Sequence, residues 1–204
     1  MKIVVDDQAV ETQDWSEAKT VADFIDALME RDIVAEDAIV GTLEIDGRKI
    51  DLVEDDLENV PFDASSVKNV VVTTDAVADL LSSAVADSRE TCGKLAGELR
   101  EAAAKFRGSK LADAADFYSG VAGRIMEVIG YLAELDGHLR SGLEGYDGGR
   151  FKKVRDRFQK ALGEALKSQE EGDWVLLADL LEYEFAEVFD DFADHFAAVS
   201  ENLN

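Results

Sequence analysis

Two acid–histidine pairs and one run of carboxylates are the groups in this chain whose types and spacing suit chemistry. Glu134 precedes His138 by four residues, and Asp191 precedes His195 by four. One helical turn apart, a carboxylate and an imidazole share a face and can hold a single metal ion, though the plainer expectation for Asp191 and His195 is a helix-surface pair or a histidine bordering the core. A di-metal carboxylate centre asks for more: two Glu-x-x-His pairs at a spacing of three, plus two further inward glutamates. One residue of offset turns each pair by about 100°. The chain has only two histidines, so that centre is not expected, and no metal or other cofactor is assigned.

The run of carboxylates is GDWVLLADLLEYEF, residues 172–185, which carries Asp179, Glu182 and Glu184 and no basic residue. On a helical wheel with Leu181 at 0° and about 100° per residue, Trp174, Leu177, Phe185, Val188, Phe192, Phe196 and Val199 form one core stripe. Asp179 and Glu182 fall off that stripe and are expected in solvent. Asp173 is expected to cap the helix. Glu184 falls at about −60° and His195 at about −40°, both bordering the stripe. Glu184 is therefore the core carboxylate candidate, with His195 on the same side. A carboxylate there needs a donor, a water contact or a raised pKa. The plainer expectation is a salt bridge from the preceding helix. The sharper one is a pocket in the helical core around Glu184, with His195, Tyr118 or Arg124 nearby, in an enzyme or small-ligand binder.

A second apolar strip lies on the same helix. Leu176, Leu180 and Tyr183 fall at about −140°, −100° and −160°. They are expected to pack on a neighbouring element or to form a partner or self-association patch. Other chemistry is thin. Cys92 lacks a CxxC partner and is expected to be a buried, inert thiol. No phosphate-binding glycine loop and no Gly-x-Ser-x-Gly elbow occurs. The stretch EDDLENVPFD, residues 54–63, is like a calcium loop only in its charge.

The elements that would position these groups fall into two parts. Residues 1–75 hold 6 Lys/Arg and 20 Asp/Glu, with β-branched runs and turn signals; residues 76–204 hold 15 and 25 and are rich in Ala, Leu and Glu. In the first part, Lys2–Asp6 reads as a strand that Val10–Gln13 pairs back upon. Thr20 caps a helix with apolar Val21, Phe24, Ile25, Leu28 and Met29 on one face. Ala38–Ile45 and Lys49–Val53 flank Asp46-Gly47, whose residue types supply the positive φ angles of a tight hairpin. Residues 55–66 read as an acidic loop, and Val67–Thr74 as a buried strand. In the second part, helices are expected over about 75–107, capped by Asp75; 109–139, capped by Ser109; 150–169; and 174–200. Short connections make such neighbours antiparallel.

That order of strands around the TVADFIDALMER helix resembles the β-grasp fold of ubiquitin and the small sulfur-carrier proteins. The resemblance covers residues 1–74 and implies a sheet with a helix on one face, a scaffold often used for docking. Those carriers act through a free C-terminal Gly-Gly, whereas the Gly148-Gly149 pair here is internal, so a carrier role is not expected. The helical part resembles bacterial proteins that share an LLADLLEYE-like segment, with no activity attached. The expected architecture is α+β: a β-grasp-like domain over 1–74, then an antiparallel four-helix domain over 75–204.

Net charge bounds the partners. At −24, the chain would be repelled by nucleic-acid phosphates and by anionic lipid. No apolar run approaches the roughly 18 residues of a membrane span. The start, MKIVVDDQAVETQDW, is too short and too acidic for a signal peptide. With one cysteine, an intramolecular disulfide is impossible, and the cytoplasm is the expected compartment. The leading expectation is a non-catalytic interaction protein, an adaptor, chaperone-like factor or regulator. The alternatives are a ligand binder around Glu184 and an oligomerisation module.

Overall fold

Backbone geometry at three aspartates and a glycine shapes the N-terminal sheet. The computed structural model describes residues 1–11 and 14–203. Asp6 and Asp7 have φ of 47° and 63°, and Asp46 and Gly47 have 49° and 85°. Two consecutive positive φ angles match the right-handed twist of flanking strands, so each pair closes a tight hairpin. The first joins β1 (Lys2–Val5) to β2 (Gln8–Ala9); the second joins β3 (Ala38–Ile45) to β4 (Arg48–Ile50). The returning strand of the first hairpin therefore starts earlier than Val10, because Asp6 turns the chain instead of extending it. Val10 still donates its N–H to the Ile3 carbonyl at 3.0 Å, and Thr12 and Gln13 lie outside the described residues. Both turn aspartates also reach β5 (Asn69–Ala76). Asp6 accepts from the Thr74 N–H at 2.8 Å, and Asp46 from the Asn69 N–H at 2.8 Å.

The five strands form one mixed sheet in the order β2-β1-β5-β3-β4, parallel between β1 and β5 and antiparallel elsewhere. Alternation puts Ile3, Val5, Leu43, Ile50, Val70 and Val72 on one buried face. Helix α1 (Val21–Glu30) covers it with Val21, Phe24 and Leu28. Its start is a capping box: Thr20 Oγ1 accepts from the Asp23 N–H at 3.1 Å, and Asp23 accepts from the Thr20 N–H at 3.0 Å. Phe24 lies between Trp15 and Phe62, with ring centroids 5.0 and 4.5 Å away. β5 runs two residues past the expected Thr74, so Asp75 lies within a strand and does not cap a helix.

The chain divides into two compact units, Met1–Leu80 and Leu81–Asn204. The second is helical: α2 (Val77–Gly108), α3 (Leu111–Gly142), α4 (Gly149–Glu171), α5 (Trp174–Leu180) and α6 (Ala186–Leu203). Lys110, not Ser109, precedes α3, without a side-chain cap. Asp173 caps α5, accepting from the Leu176 N–H at 2.9 Å. α5 and α6 are not one regular helix. Leu181–Phe185 forms a π turn, closed by the Ala186 N–H reaching back five residues to the Leu181 carbonyl.

Phenylalanines align α4 against the last helices. Phe158 meets Phe185 and Phe189 at 5.7 and 6.3 Å, and Phe151 meets Phe192 and Phe196 at 5.2 and 6.4 Å. Rising residue numbers on one element meet falling numbers on the other, so they run antiparallel. α2 is antiparallel to α3, through Phe106–Tyr118 and Arg124–Glu98. It is antiparallel to the last helices too, through Phe106–Trp174 and Arg100–Asp190. Phe189 is fully buried. Phe189→Ala lowers the stability of the helical unit by about 3–5 kcal/mol, read as a lower urea midpoint of the helical circular-dichroism signal at unchanged m.

Candidate functional site

A carboxylate on the core face of α3 starts the site. Leu132, Leu135 and Leu139 are buried on that face, and Asp136 is buried among them at 5% exposure. Burying a carboxylate costs several kcal/mol unless it is paired and hydrogen-bonded. Arg140, one turn on, donates Nε–H to Asp136 Oδ2 at 2.8 Å. The same guanidinium donates to the Asp147 carbonyl at 3.0 Å and the Gly148 carbonyl at 3.3 Å. It thereby clamps the α3–α4 connection onto the end of α3. Gly148 sits in the left-handed region at φ 62° and is buried against that clamp; an added Cβ would lie 2.1 Å from Arg140 Nη2.

The clamped connection returns Tyr146 to the core, where its hydroxyl lies 2.7 Å from Asp136 Oδ1 and 3.0 Å from His195 Nε2. The protons follow from the partners. Arg140 stays cationic, so Asp136 is a carboxylate and only accepts. Tyr146 therefore donates to Asp136, and its oxygen accepts from His195 Nε2–H. The neutral imidazole then carries its proton on Nε2 and leaves Nδ1 as an acceptor. His195 itself is buried at 4% exposure, with Phe196 and Phe151 centroids 5.1 and 6.0 Å away.

Burial, then the Arg150 charge, hold the His195 pKa below its usual value; Asp136 opposes them. Burial and the bond to Asp136 push the Tyr146 phenol up. Beside this chain of bonds lies an open cleft of about 480 Å³, lined by Leu143, Tyr146, Arg150, His195, Val199 and Asn202 among others. The arrangement is a fixed proton chain ending on an imidazole at the wall of a cleft.

The residues singled out from sequence are distributed differently. His195 is in this cluster. Glu184 is not: it is exposed and makes no ion pair among the described residues. The wheel that placed it against the core assumed about 100° per residue throughout, and the π turn at 181–185 advances the chain by less. Burial swings towards Ala186 and Phe189, both fully buried, and away from Glu184. Tyr118 accepts from Gln169 at 3.1 Å and Arg124 binds Glu98 at 2.6 Å; neither lines the cleft.

Asp179 is exposed and Glu182 half-exposed, off the core stripe as expected, and both also bind Arg107. Of the second strip, Leu180 is buried at 5%, because α5 packs in the shared core on that side as well. Leu176 and Tyr183 remain exposed, with Val175 beside them. Cys92 is fully buried, and burial pushes its thiol up to about 12. No group of three or more His, Cys, Asp or Glu is placed to hold a metal among the described residues.

Asp136, Arg140 and Tyr146 were not singled out from sequence. A signal for them exists: Asp136 interrupts the Leu132–Leu135–Leu139 stripe, and an arginine follows one turn later.

Residues 84–195 match the model of a family described as a domain of unknown function, DUF8042. The chain belongs to that family. The DUF8042 segment holds Asp136, Arg140, Tyr146 and His195, and also the exposed Leu176 and Tyr183. No curated protein and no solved structure matches the chain. No helix is long and apolar enough to cross a membrane among the described residues.

Two measurements test the cluster. Because the folded His195 pKa is below the usual 6.5, the unfolded chain binds more protons as pH falls through that value. The neutral-histidine contribution is complete above about pH 6.5 and lost as pH drops towards the folded pKa. Urea midpoints at about pH 7.5 and about pH 5.5 should therefore differ more for wild type than for His195→Asn. Gly148→Ala, which meets Arg140 and a positive φ, should cost more than about 1 kcal/mol by the same denaturation.

Proposed function

We propose that this DUF8042 protein is a non-catalytic binding protein, an adaptor or chaperone-like factor, whose helical domain docks a protein partner on the face carrying Val175, Leu176 and Tyr183. One observation carries the reading: these three large apolar side chains are 71%, 43% and 56% exposed on α5 and the π turn. Tyr183 among them lies beside an ion-paired arginine. Arg107 holds Asp179 and Glu182 and lies 5.9 Å from the Tyr183 ring centroid. Tyrosine and arginine are the residue types that most often anchor protein interfaces. The flanking carboxylates and the net charge of −24 suit a partner with an apolar pocket and a basic rim.

The N-terminal domain, about 1–74, we read as β-grasp-like. The strand order, the parallel central pair β1/β5 and the single covering helix α1 support that reading. It would serve as a second docking module, an inference from fold and not from a site. The helical domain, about 75–204, we read as an antiparallel four-helix bundle whose last helix contains the π turn. The antiparallel pairings of α2 with α3, of α4 with the last helices, and of the last helices with α2 support it. A single buried, unreactive thiol suits a cytoplasmic location.

The test is capture of partners by the full chain and by Leu176→Asp and Tyr183→Ala, both exposed positions that leave the core intact. Each substitution should weaken the captured complex by about 2 kcal/mol, roughly 30-fold. Unchanged capture by both folded variants would remove this face from the function. Sedimentation of wild type over a range of concentrations separates a foreign partner from a second copy of the chain.

A further inference from the structure

The cleft beside His195 is distinct from the proposed docking face. Tyr183 and His195 are separated by twelve residues of helix, about 18 Å. Its cation is the unusual feature in so acidic a chain. Arg150, in the first turn of α4, lines the cleft and has no ion pair among the described residues; Lys152 and Lys153 follow it on α4 but do not line the cleft. The 23-residue α4 also turns its positive end towards the cleft, since Gly148 and Arg150 both line it. Of the acids nearby, Asp136 is paired with Arg140; Glu144 and Asp147 line the cleft, Asp147 accepting from the Gly149 N–H at 2.8 Å, and neither has an ion pair among the described residues.

The second feature is the fixed imidazole. Its Nε2–H is committed to Tyr146, so Nδ1 is the atom left to interact with a ligand. In the neutral state Nδ1 only accepts. Protonated from solvent, it becomes a donor, while Nε2–H continues to serve Tyr146 and Asp136 behind it. The protein therefore has a place to put one proton without breaking its own hydrogen bonds. Arg150 alone opposes that proton among the groups facing the ring. Asp136 favours it, Arg140 is spent on Asp136, and Asp191 on α6 is spent on Arg157. An anion beside Arg150 would offset that charge and leave burial as the one opposing cause.

We infer that this cleft binds a small oxyanion, a carboxylate or a phosphate group, between Arg150 and His195, and that binding draws a proton onto His195. Linkage is reciprocal, so the anion binds the protonated protein more tightly by the same factor that it raises the histidine midpoint.

The two histidines make this directly measurable. His138 on α3 is exposed and His195 buried, so imidazole NMR resolves a reporter and a reference in one full-length sample. Inorganic phosphate and acetate are titrated separately, each against sodium chloride of equal ionic strength. With a bound oxyanion the His195 midpoint rises by about one pH unit, equivalent to tenfold tighter binding below it, while His138 does not move. Arg150→Gln, an exposed substitution, abolishes the rise. A response to phosphate alone or to acetate alone assigns the group. No movement of His195 with either anion overturns the inference, as does a rise that persists in Arg150→Gln or that sodium chloride reproduces. Failure here leaves the docking face untouched, because Leu176 and Tyr183 take no part in the measurement.

Discussion

One buried carboxylate, Asp136, organises an end of the helical unit. A charge with so little contact with water must be met by partners, because leaving it unpaired costs more than a hydrogen bond returns. Arg140 meets one oxygen and Tyr146 the other. Each partner then constrains something further. Arg140 uses its remaining donors on the carbonyls of Asp147 and Gly148, which sets where α4 begins and requires glycine at 148. Tyr146 passes the constraint to His195 on α6. One charge thus fixes a turn, a helix start and an imidazole tautomer across three elements.

The last helices impose a second constraint of the opposite kind. Residues 173–200 hold eight carboxylates and no lysine or arginine, yet their buried stripe is aromatic. The stripe packs on Phe151 and Phe158 of α4, and the acids are met from outside by arginines on two different helices. Arg100 and Arg107 come from α2, and Arg157 from α4. Exposed pairs of this kind contribute little each, roughly 0–1 kcal/mol. Their use is register: an arginine at 107 that finds Asp179 and Glu182 fixes how far α2 runs along its neighbour. Burial of the phenylalanines supplies the stability that these pairs do not.

Local chemistry made the α+β architecture legible in the sequence, and long-range chemistry hid the site. The Asp46-Gly47 hairpin, the Thr20 cap and the Asp173 cap each depend on residues within four positions, and each was readable. The Asp6-Asp7 turn was not, because it lacks the glycine that marks Asp46-Gly47 and Asp6 is held there by Thr74, 68 residues away. The preceding helix, α4, was expected to pair with the acids of the last helices; among its described residues Arg157 does so, while α2 supplies two further partners, Arg100 and Arg107. His195 stood out as one of two histidines, but its partners Tyr146 and Asp136 are joined to it only by the folding of three elements.

The error over Glu184 has a physical cause that bears on function. A helix that must first pack Leu177, Ala178 and Leu181 and then present phenylalanines to α4 meets two demands on its phase. A π turn reconciles them by letting the chain advance less than a regular turn would. Its widened ladder lies at Leu181–Phe185, between the exposed Leu176 and the buried His195. Tyr183 faces outward on a continuous helix as well; Glu184, which makes no ion pair among the described residues, is the one the π turn moves off the edge of the core. Moving the phase of this one segment therefore shapes the exposed face without disturbing the polar cluster twelve residues on. The two surfaces share a helix but not a constraint, so one could change under selection for a partner while the other kept its geometry.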